Sequence, residues 1–248
     1  MSSFQSDHDV PPLRLLDLTL SLPVENLALD EALLDELDES GGDPVLRFWE
    51  SDCVFVVLGR GSRLTDEVDL ATCEGDGIPI LRRVSGGGTV LQGPGCLSYA
   101  LVLPLDWHPD LANIRSTNRF ILERIAAALH GWEPATRFCG INDLAIDGMK
   151  ISGNAQRRTK NALLFHGTIL HGMSADLVTR YLKHPSRQPD YRSDRPHQTF
   201  LRTINAPPQA IKQAIASSWN AVPMDSTWPT SRMPHAIEAI LARSQETP

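Results

Sequence analysis

Apolar residues recur every three or four positions in two long stretches, which is the spacing of one face of an α-helix. The first stretch, PVENLALDEALLDELDESGG, covers residues 23–42, with acidic residues on the opposite face and a Gly-Gly stop. The second, IRSTNRFILERIAAALHGW, covers residues 114–132 and has Gly131 just past its end. Shorter helices are predicted at SADLVTRYLKH, beginning near Ser174, and at PPQAIKQAIASSWNAV and PHAIEAILARS, which have proline at the entry.

Runs rich in β-branched and aromatic residues predict strands between these helices. VLRFWE and CVFVVLGR are separated by a short polar step and predict a strand pair that ends at Gly59. IPILRRV and CLSYALVLPL predict strands on either side of a glycine-rich segment, and ALLFHGTILHG predicts another strand. Residues 185–197 are polar and contain prolines, which predicts a loop.

The stretch DLAIDGMKISG predicts a β-hairpin, because an Asp-Gly pair between two alternating segments is a strong turn signal. In the second arm Met149 and Ile151 share one face. Lys150 and Ser152 are therefore expected to project from the other face.

The chain has 248 residues, of which 42% are hydrophobic and 21% charged, values typical of one globular domain. We expect a disordered tail over residues 1–12 and a single domain over residues 13–248. The net charge of -7 argues against nucleic-acid partners, because such proteins usually carry a basic excess. No apolar run is long enough to span a bilayer, so no membrane association is expected.

The four cysteines are widely spaced and form no C-x-x-C pair. This spacing argues against a disulfide framework and against a zinc site. The first residues lack the apolar core of a secretory signal. We therefore expect a protein of the reducing cytoplasm with no metal site of its own.

The segment RRVSGGGTVLQGPG begins at Arg82 and contains three successive glycines, residues 86–88. Glycine is costly to order, so this run indicates either close approach of a ligand to the backbone or a turn with positive φ. Free N–H groups beside two guanidinium groups would suit phosphate oxygens. A glycine-rich turn with surface arginines is the alternative. The spacing matches neither the Rossmann fingerprint nor the P-loop.

Polar and small residues surround Lys150, namely Asn142, Asp143, Ser152, Gly153, Asn154 and Gln156. An ammonium on a strand can bind a carboxylate or phosphate as a compact charge, although an isolated strand lysine is more often only solvated. His166 is either a ligand contact or a hydrogen-bonded structural residue. Cys139 would be a nucleophile only with a lowered thiol pKa, and free cysteine is usually a small buried hydrophobe.

Six motifs resemble, in order and wording, the lipoate-protein ligase A family of the biotin/lipoate ligase and octanoyltransferase superfamily: NLALDEALL, LRFWE, VVLGR, RRVSGGGTV, NDLAIDGMKISGNAQRR and FHGTIL. The likeness runs from about Leu13 through the loop PDYRSDRPH. The resemblance implies an α+β fold, with a mixed β-sheet flanked by helices as in the biotin/lipoate ligase catalytic domain. It also implies that the glycine segment and the lysine hairpin face each other across a pocket.

The resemblance further implies a reaction. In such ligases the carboxylate of lipoate or octanoate attacks the α-phosphate of ATP with Mg²⁺, giving an acyl-adenylate and pyrophosphate. A lysine of an acceptor lipoyl domain then takes the acyl group and releases AMP. The expected partners are the lipoyl domains of 2-oxoacid dehydrogenases or the glycine cleavage H protein, with or without a separate accessory subunit.

By motif, the resemblance assigns Lys150 the catalytic role of stabilising the negative charge that develops in both steps. Arg83 and residues 88–91 would hold the nucleotide, Arg82 and the glycines would shape that wall, and Asp143 would help bind nucleotide or metal. The residues expected at the nucleotide and acyl-adenylate site are Arg82, Arg83, Ser85, Gly86, Gly87, Gly88, Thr89, Val90, Leu91, Asn142, Asp143, Ser152, Gly153, Asn154, His166 and Gly167.

Two features depart from the family pattern. Gln92-Gly93 stands where many members have His-Asp. A metal or phosphate role of that His-Asp pair therefore does not carry over to this chain. The chain ends at Pro248, and no C-terminal accessory domain is expected. Short members of the family need a separate accessory protein or catalyse a different reaction.

Three alternatives follow. The first is an ATP-independent transferase that moves octanoyl or lipoyl groups between carrier proteins, with Cys139 as the possible acyl-bearing nucleophile. The second is a non-catalytic lipoate-binding accessory protein, against which the retention of Lys150, Arg83 and the glycine run argues. The third is a ligase that uses biotin as its substrate, which rests on fold grounds alone, because a fold does not determine a function. The motifs favour the ATP-dependent ligase.

Overall fold

The computed structural model describes residues 12–185, 187–223 and 227–245. Apart from Pro12, the tail expected over residues 1–12 lies outside the described residues. The strands are β1 (Arg14–Asp17), β2 (Val45–Trp49), β3 (Phe55–Leu58), β4 (Ile80–Arg82), β5 (Val90–Gln92), β6 (Cys96–Pro104), β7 (Thr136–Cys139), β8 (Asp143–Ile146), β9 (Met149–Arg158), β10 (Ala162–Leu170) and β11 (Val222–Pro223). The helices are α1 (Pro23–Ser40), α2 (Leu64–Glu67), α3 (Leu70–Asp76), α4 (Ile114–Leu129), α5 (Ala175–Tyr181), α6 (His197–Phe200), α7 (Pro208–Ser218) and α8 (Met233–Gln245).

The strands form two sheets. The large sheet has the order β11-β1-β2-β6-β10-β9-β8-β7 and the small sheet the order β4-β3-β5. Both sheets are mixed, because β1 runs parallel to β2 and β11, β3 runs parallel to β4, and the other pairs are antiparallel. The predicted α+β fold with a mixed sheet flanked by helices is confirmed.

Hydrophobic clusters connect four layers. On one face of the large sheet α4 and α7 pack, as Ile121 and Ile215 share a cluster with the sheet residues. On its other face α1, α8 and the small sheet pack around Leu33 and Val57. The outer face of the small sheet is covered by a third cluster that includes Val178 of α5. Since the small sheet lies over part of the large sheet, a space is left between them.

The predicted strand pair that ends at Gly59 is wrong. β2 pairs with β1 and β6 in the large sheet, whereas β3 pairs with β4 and β5 in the small sheet. The polar step between the two strands, residues 50–54, therefore carries the chain from one sheet to the other. Two adjacent strand patterns do not show which sheet each strand joins, because that choice depends on residues far away in the chain.

The expected acidic face of α1 is also partly wrong. Asp30 and Glu31 are buried, with exposed fractions of 2% and 7%. Each carboxylate bonds an arginine, Arg47 for Asp30 and Arg243 for Glu31. Buried carboxylates are tolerated when such partners satisfy them.

The predicted hairpin is confirmed, with Asp147 and Gly148 in the left-handed region at φ 51° and 76°. The prediction that Lys150 and Ser152 project from the same face is wrong, because the register shifts between Leu144 and Ala145. This bulge pairs Lys150 with Ala145 and Gly153 with Asp143. Directly paired residues share a sheet face, and Asp143 and Ala145 lie on the same face of β8 because they are two positions apart. Lys150 therefore lies on the same side as Gly153, whereas Ser152, paired with Leu144, lies on the opposite side.

Residues 185–197, expected to be a loop, include a short 3₁₀ helix, Asp190–Arg192, and end at the first residue of α6. The five helices predicted from the sequence are confirmed as α1, α4, α5, α7 and α8. Ser174 caps α5 as expected. Within the described ranges, no helix combines the length and the apolar character that crossing a bilayer requires.

Candidate active site

A cavity of about 860 Å³ lies between the two sheets. Residues of the glycine segment, the lysine hairpin, β10 and α1 all contribute to its wall. Of the residues predicted from the sequence, those lining the cavity are Arg83, Gly86, Gly87, Gly88, Thr89, Val90, Leu91, Asn142, Asp143, Lys150, Gly153, Asn154, His166 and Gly167. Arg82, Ser85, Ser152 and Cys139 do not line it. Among the predicted residues, the fold therefore brings together positions up to 84 apart in the sequence, from Arg83 to Gly167.

Arg83 organises the glycine loop, residues 85–88. One guanidinium nitrogen, Nη2, donates to the carbonyls of Gly86 and Gly88 at 2.6 and 2.8 Å. Nε donates to the Ser85 hydroxyl at 3.0 Å, and Nη1 donates to the carbonyl of Val57 at 3.3 Å. Burial lowers the pKa of Arg83 to about 10. Its donors hold the loop together rather than pointing as a free fork into the cavity.

Two glycines are required for this arrangement. Gly87 has φ +87°, and a Cβ there would lie 3.0 Å from the Arg83 Nη2 atom. A Cβ on Gly59 would lie 1.9 Å from the carbonyl oxygen of Gly87. The glycine loop therefore packs against the end of β3 so closely that no side chain fits between them.

Arg82 supports the same wall from behind. Its Nη1 donates to the carbonyls of Gly59 and Ser62 at 3.0 and 2.8 Å. Its Nε donates to the carbonyl of Arg243 in α8 at 3.1 Å. Arg82 thus ties residues 59–62 to the last helix and does not itself line the cavity.

Lys150 is held by a buried carboxylate. Its Nζ lies 2.8 Å from Asp143 Oδ1, and the Asp143 side chain is only 5% exposed. The Tyr191 hydroxyl donates to Asp143 Oδ2 at 2.8 Å. A Cβ at Gly153 would lie 2.8 Å from Nζ, so the glycine of KISG leaves room for the ammonium. Burial, followed by the charge of Asp143, raises the pKa of Tyr191.

Asn142 and Asn154 lock the base of the hairpin. Asn154 Nδ2 donates to the carbonyl of Asn142 at 2.8 Å and to Ser152 Oγ at 3.1 Å. Asn142 returns a hydrogen bond to the carbonyl of Asn154, and the Tyr99 hydroxyl donates to Asn154 Oδ1. A Cβ at Gly167 would lie 1.7 Å from Asn154 Oδ1. These contacts fix the strands that carry Lys150, and Ser152 acts as a support outside the cavity.

His166 connects the glycine loop to α1. Its Nε2 lies 2.5 Å from Ser85 Oγ, and its Nδ1 lies 3.7 Å from Asp30 Oδ2. Arg47 donates to Asp30 Oδ1 at 2.5 Å. Burial acts to raise the pKa of Asp30, but Arg47 and His166 together lower it below its usual value. Asp30 is thus a carboxylate in the wall of the cavity.

The structure adds site residues that the sequence did not single out. Tyr191 and Arg192 come from the segment that reads as a polar loop. Arg192 is buried, lines the cavity and has an Nη2 atom without a hydrogen-bond partner. Glu67 Oε2 accepts from the backbone N–H of Thr89 at 3.2 Å. Residues 187–202 contain four arginines, which is the signal that could have indicated Arg192, whereas nothing local marks Tyr191 or Glu67.

Cys139 lies at the margin of this site. It is half-buried in β7, does not line the cavity, and is paired across the strands with Asp143. Paired residues in an antiparallel sheet have Cβ atoms about 5 Å apart. The thiol is therefore a neighbour of the Lys150–Asp143 pair without belonging to the cavity wall.

The mixed sheet, with a cavity lined by the glycine loop and the lysine hairpin, has the fold of lipoate-protein ligases, as two solved structures show. The protein is similar to a crystal structure of lipoate-protein ligase A bound with ATP, with a TM-score of 0.78, 23% identity, and coverage of 95% of this chain and 97% of that one. It is also similar to a bi-partite lipoate protein ligase from Thermoplasma acidophilum, with a TM-score of 0.77, 23% identity, and coverage of 95% and 93%.

The chain belongs to the lipoyl protein ligase A/B catalytic domain family, which it matches over residues 22–216. It is 32% identical to the probable lipoate-protein ligase A of Mycoplasma pneumoniae, over 65% of this chain and 46% of that protein. It is 30% identical to the octanoyltransferase LipM of Carboxydothermus hydrogenoformans, over 78% of this chain and 76% of that protein. The chain thus spans about half the length of the ligase relative and about three quarters of LipM.

Proposed function

We propose that the protein is a lipoate-protein ligase that activates lipoate or octanoate with ATP and transfers the acyl group to a lysine of an acceptor lipoyl domain. The observation that carries this proposal is that Lys150 and the glycine loop line the same cavity. Backbone N–H groups of a glycine loop and an ammonium group suit a phosphate and a carboxylate that react with each other.

In the first step a carboxylate oxygen of the acid bonds to the α-phosphorus of ATP, and the bond to the pyrophosphate oxygen breaks. In the second step the acceptor amine bonds to the acyl carbon, and AMP leaves with the adenylate oxygen. Negative charge develops on oxygens in both steps. The Lys150 ammonium, positioned by Asp143, would stabilise that charge because a preorganised charge needs little reorganisation.

The acyl chain and the nucleotide would occupy different parts of the cavity. Leu27, Trp49 and Val57 contribute apolar surface near α1 and β3, which suits a hydrocarbon chain. The glycine loop and Arg192 would contact the phosphates, since the buried Arg192 has a guanidinium nitrogen without a partner. Asp143 would act on the nucleotide indirectly, because its salt bridge positions the Lys150 ammonium.

We further propose that Mg²⁺ enters with ATP, bound to the phosphates. Mg²⁺ commonly keeps several waters and uses substrate phosphates with one or two carboxylates. Among the described residues, no group of three or more histidine, cysteine, aspartate or glutamate side chains is placed to hold a metal ion. This arrangement would also suit a chain that has Gln92-Gly93 where many members of the family have His-Asp.

The partners we propose are the lipoyl domains of 2-oxoacid dehydrogenases or the glycine cleavage H protein, acting in the cytoplasm, with or without an accessory subunit. The bi-partite ligase from Thermoplasma acidophilum was studied with its E2 lipoyl domain. We also retain the proposal of a single domain over residues 13–248.

A carrier-to-carrier octanoyl or lipoyl transferase is the second candidate. The similarity to LipM and the pairing of Cys139 with Asp143 favour it. The position of Cys139 outside the cavity wall argues against it, because a nucleophile must reach the acyl carbon.

Pyrophosphate release tests the ligase directly. The purified protein is incubated with lipoate or octanoate and Mg-ATP, without an acceptor. We expect release that requires both the acid and ATP. No release under these conditions, together with acyl transfer from an octanoyl-carrier protein, would replace the ligase with the transferase.

A further inference from the structure

A continuous chain of polar contacts joins α1 to the glycine loop and has no role in the chemistry described above. It runs from Arg47 through Asp30, His166 and Ser85 to Arg83. These residues come from α1, β2, the glycine segment and β10. Asp30 and His166 line the cavity, whereas Ser85 is buried behind its wall.

The groups themselves fix the direction of the hydrogen bond between Arg83 and Ser85, and the direction between Ser85 and His166 is part of the inference. An arginine side chain can only donate, so Ser85 Oγ accepts from Arg83 Nε. We infer that the serine hydroxyl donates its proton to His166 Nε2, which lies 2.5 Å away. Because Nε2 accepts, the ring proton lies on Nδ1, which faces Asp30 Oδ2. That distance is 3.7 Å, longer than a hydrogen bond, so the contact with Asp30 is electrostatic.

Arg83, the last residue in this series of polar contacts, determines the shape of the glycine loop. The same Arg83 guanidinium that donates to Ser85 also donates to the carbonyls of Gly86 and Gly88. Those two bonds draw both carbonyls toward Arg83. Ser85 therefore fixes the rotation of the guanidinium group that holds the glycine loop.

We propose that Ser85 and His166 are positioning residues that hold the glycine loop in its nucleotide-binding shape, with Asp30 orienting His166. This inference rests on the proposed function for the identity of the nucleotide. The series of contacts from Arg47 to Arg83, called the relay below, is a property of the structure. It links the wall beside the acyl-chain region to the wall that would hold ATP. A change at Ser85 then alters nucleotide binding although Ser85 does not touch the cavity.

Three variants separate positioning from packing. Ser85→Ala removes the hydroxyl from both neighbours. His166→Gln places an amide oxygen near the position of Nε2 and can still accept from Ser85. His166→Asn is shorter, keeps a donor near the position of Nδ1 and loses the contact with Ser85. Ser51→Ala is the matched control, since Ser51 is also buried and hydrogen-bonded but lies outside the cavity.

The first readout is the KM for ATP and for the acid in pyrophosphate release. We expect Ser85→Ala and His166→Asn to raise the KM for ATP about tenfold or more, because each leaves buried polar groups unpaired. The acid KM of Ser85→Ala should stay near that of the wild type. His166→Gln should restore the KM for ATP, and Ser51→Ala should not change it.

The second readout does not depend on catalysis. In ¹⁵N NMR of the whole chain, His166 should carry its proton on Nδ1, and the amide resonances of Gly86–Gly88 should shift in Ser85→Ala and His166→Asn but not in His166→Gln. Unchanged loop resonances in Ser85→Ala, or a proton on Nε2, would overturn the relay. If the wild type releases no pyrophosphate, the proposed function fails, and the NMR result alone decides the relay.

Discussion

The ammonium of Lys150 lies 2.8 Å from the carboxylate of Asp143 on the neighbouring strand. Asp143 is also held by the Tyr191 hydroxyl, so the charge pair is fixed from both sides of the carboxylate. The bulge in β8–β9 turns Lys150 toward Gly153, where the missing side chain leaves space. This arrangement aims one cation into the cavity that the glycine loop also lines.

Removing the ammonium tests its role. Lys150→Ala should fold normally and lower the rate of adenylate formation and acyl transfer about 100- to 1,000-fold, as expected for loss of one preorganised charge. Lys160→Ala, on the exposed turn between β9 and β10, is the control and should retain the wild-type rate. Steady-state rates with a thermal melt of each variant provide the check. Full activity of Lys150→Ala would contradict the assignment.

Filling the space beside the ammonium should have a similar but smaller effect. The methyl group of Gly153→Ala would lie 2.8 Å from Lys150 Nζ and 3.0 Å from Cε, so the flexible side chain must move. We expect a folded protein with a rate about 10- to 100-fold lower, because small misplacements of a catalytic group are costly. Gly75→Ala, where no neighbouring atom lies within 4 Å of a Cβ, should be unaffected. Equal rates for both variants would show that the position of Nζ is not critical.

A substitution outside the glycine loop can displace it. Gly59→Ala places a methyl group 1.9 Å from the carbonyl oxygen of Gly87 and 2.9 Å from its carbonyl carbon, both backbone atoms. The loop must shift, and we expect ATP affinity measured by calorimetry to fall at least about tenfold. Gly131→Ala has open space around it and serves as the control. A folded Gly59→Ala protein with unchanged ATP affinity would disprove a role of this loop in nucleotide binding.

Glu31 should make stability depend on pH. Burial raises the pKa of Glu31 from 4.5 to about 7, although Arg243 is bonded to it. The folded state therefore binds this proton more tightly than the unfolded chain. The stability that Glu31 contributes is fully present below the unfolded value of 4.5 and is lost as pH rises through about 7.

Urea unfolding at several pH values checks this prediction. The free energy of unfolding of the wild type, taken relative to Glu31→Gln, should fall by up to about 3 kcal/mol between about pH 5 and about pH 8. Glu36→Gln, an exposed position of the same helix, should show no such trend. A difference between wild type and Glu31→Gln that does not vary with pH would contradict the raised pKa.

Local sequence patterns predicted much of the fold. The periodicity of residues 23–42 and 114–132 predicted α1 and α4, and an Asp-Gly pair predicted the hairpin that carries Lys150. The assignment of β2 and β3 to different sheets could not be predicted, because the partners of both strands lie elsewhere in the chain. The bulge was missed for a related reason, since strand alternation assumes regular pairing.

The candidate site was predicted in part. The glycine run and the KISG motif indicated which segments line the cavity. The two arginines were expected to present charge to a phosphate, but both donate mainly to backbone carbonyls. Tyr191 and Asp30 were missed because their roles come from tertiary contacts with Asp143 and His166. Such contacts leave no signal in the order of residues along the chain.

Intact-mass analysis of an apo lipoyl domain tests the central claim most directly. The purified protein is incubated with the domain and either lipoate or octanoate plus Mg-ATP, or octanoyl-carrier protein without ATP. We predict that the domain gains the mass of the acyl group only with the free acid and ATP, and that Lys150→Ala abolishes the gain. Modification only from the carrier would contradict the ligase, and Cys139 would then be the residue to substitute next.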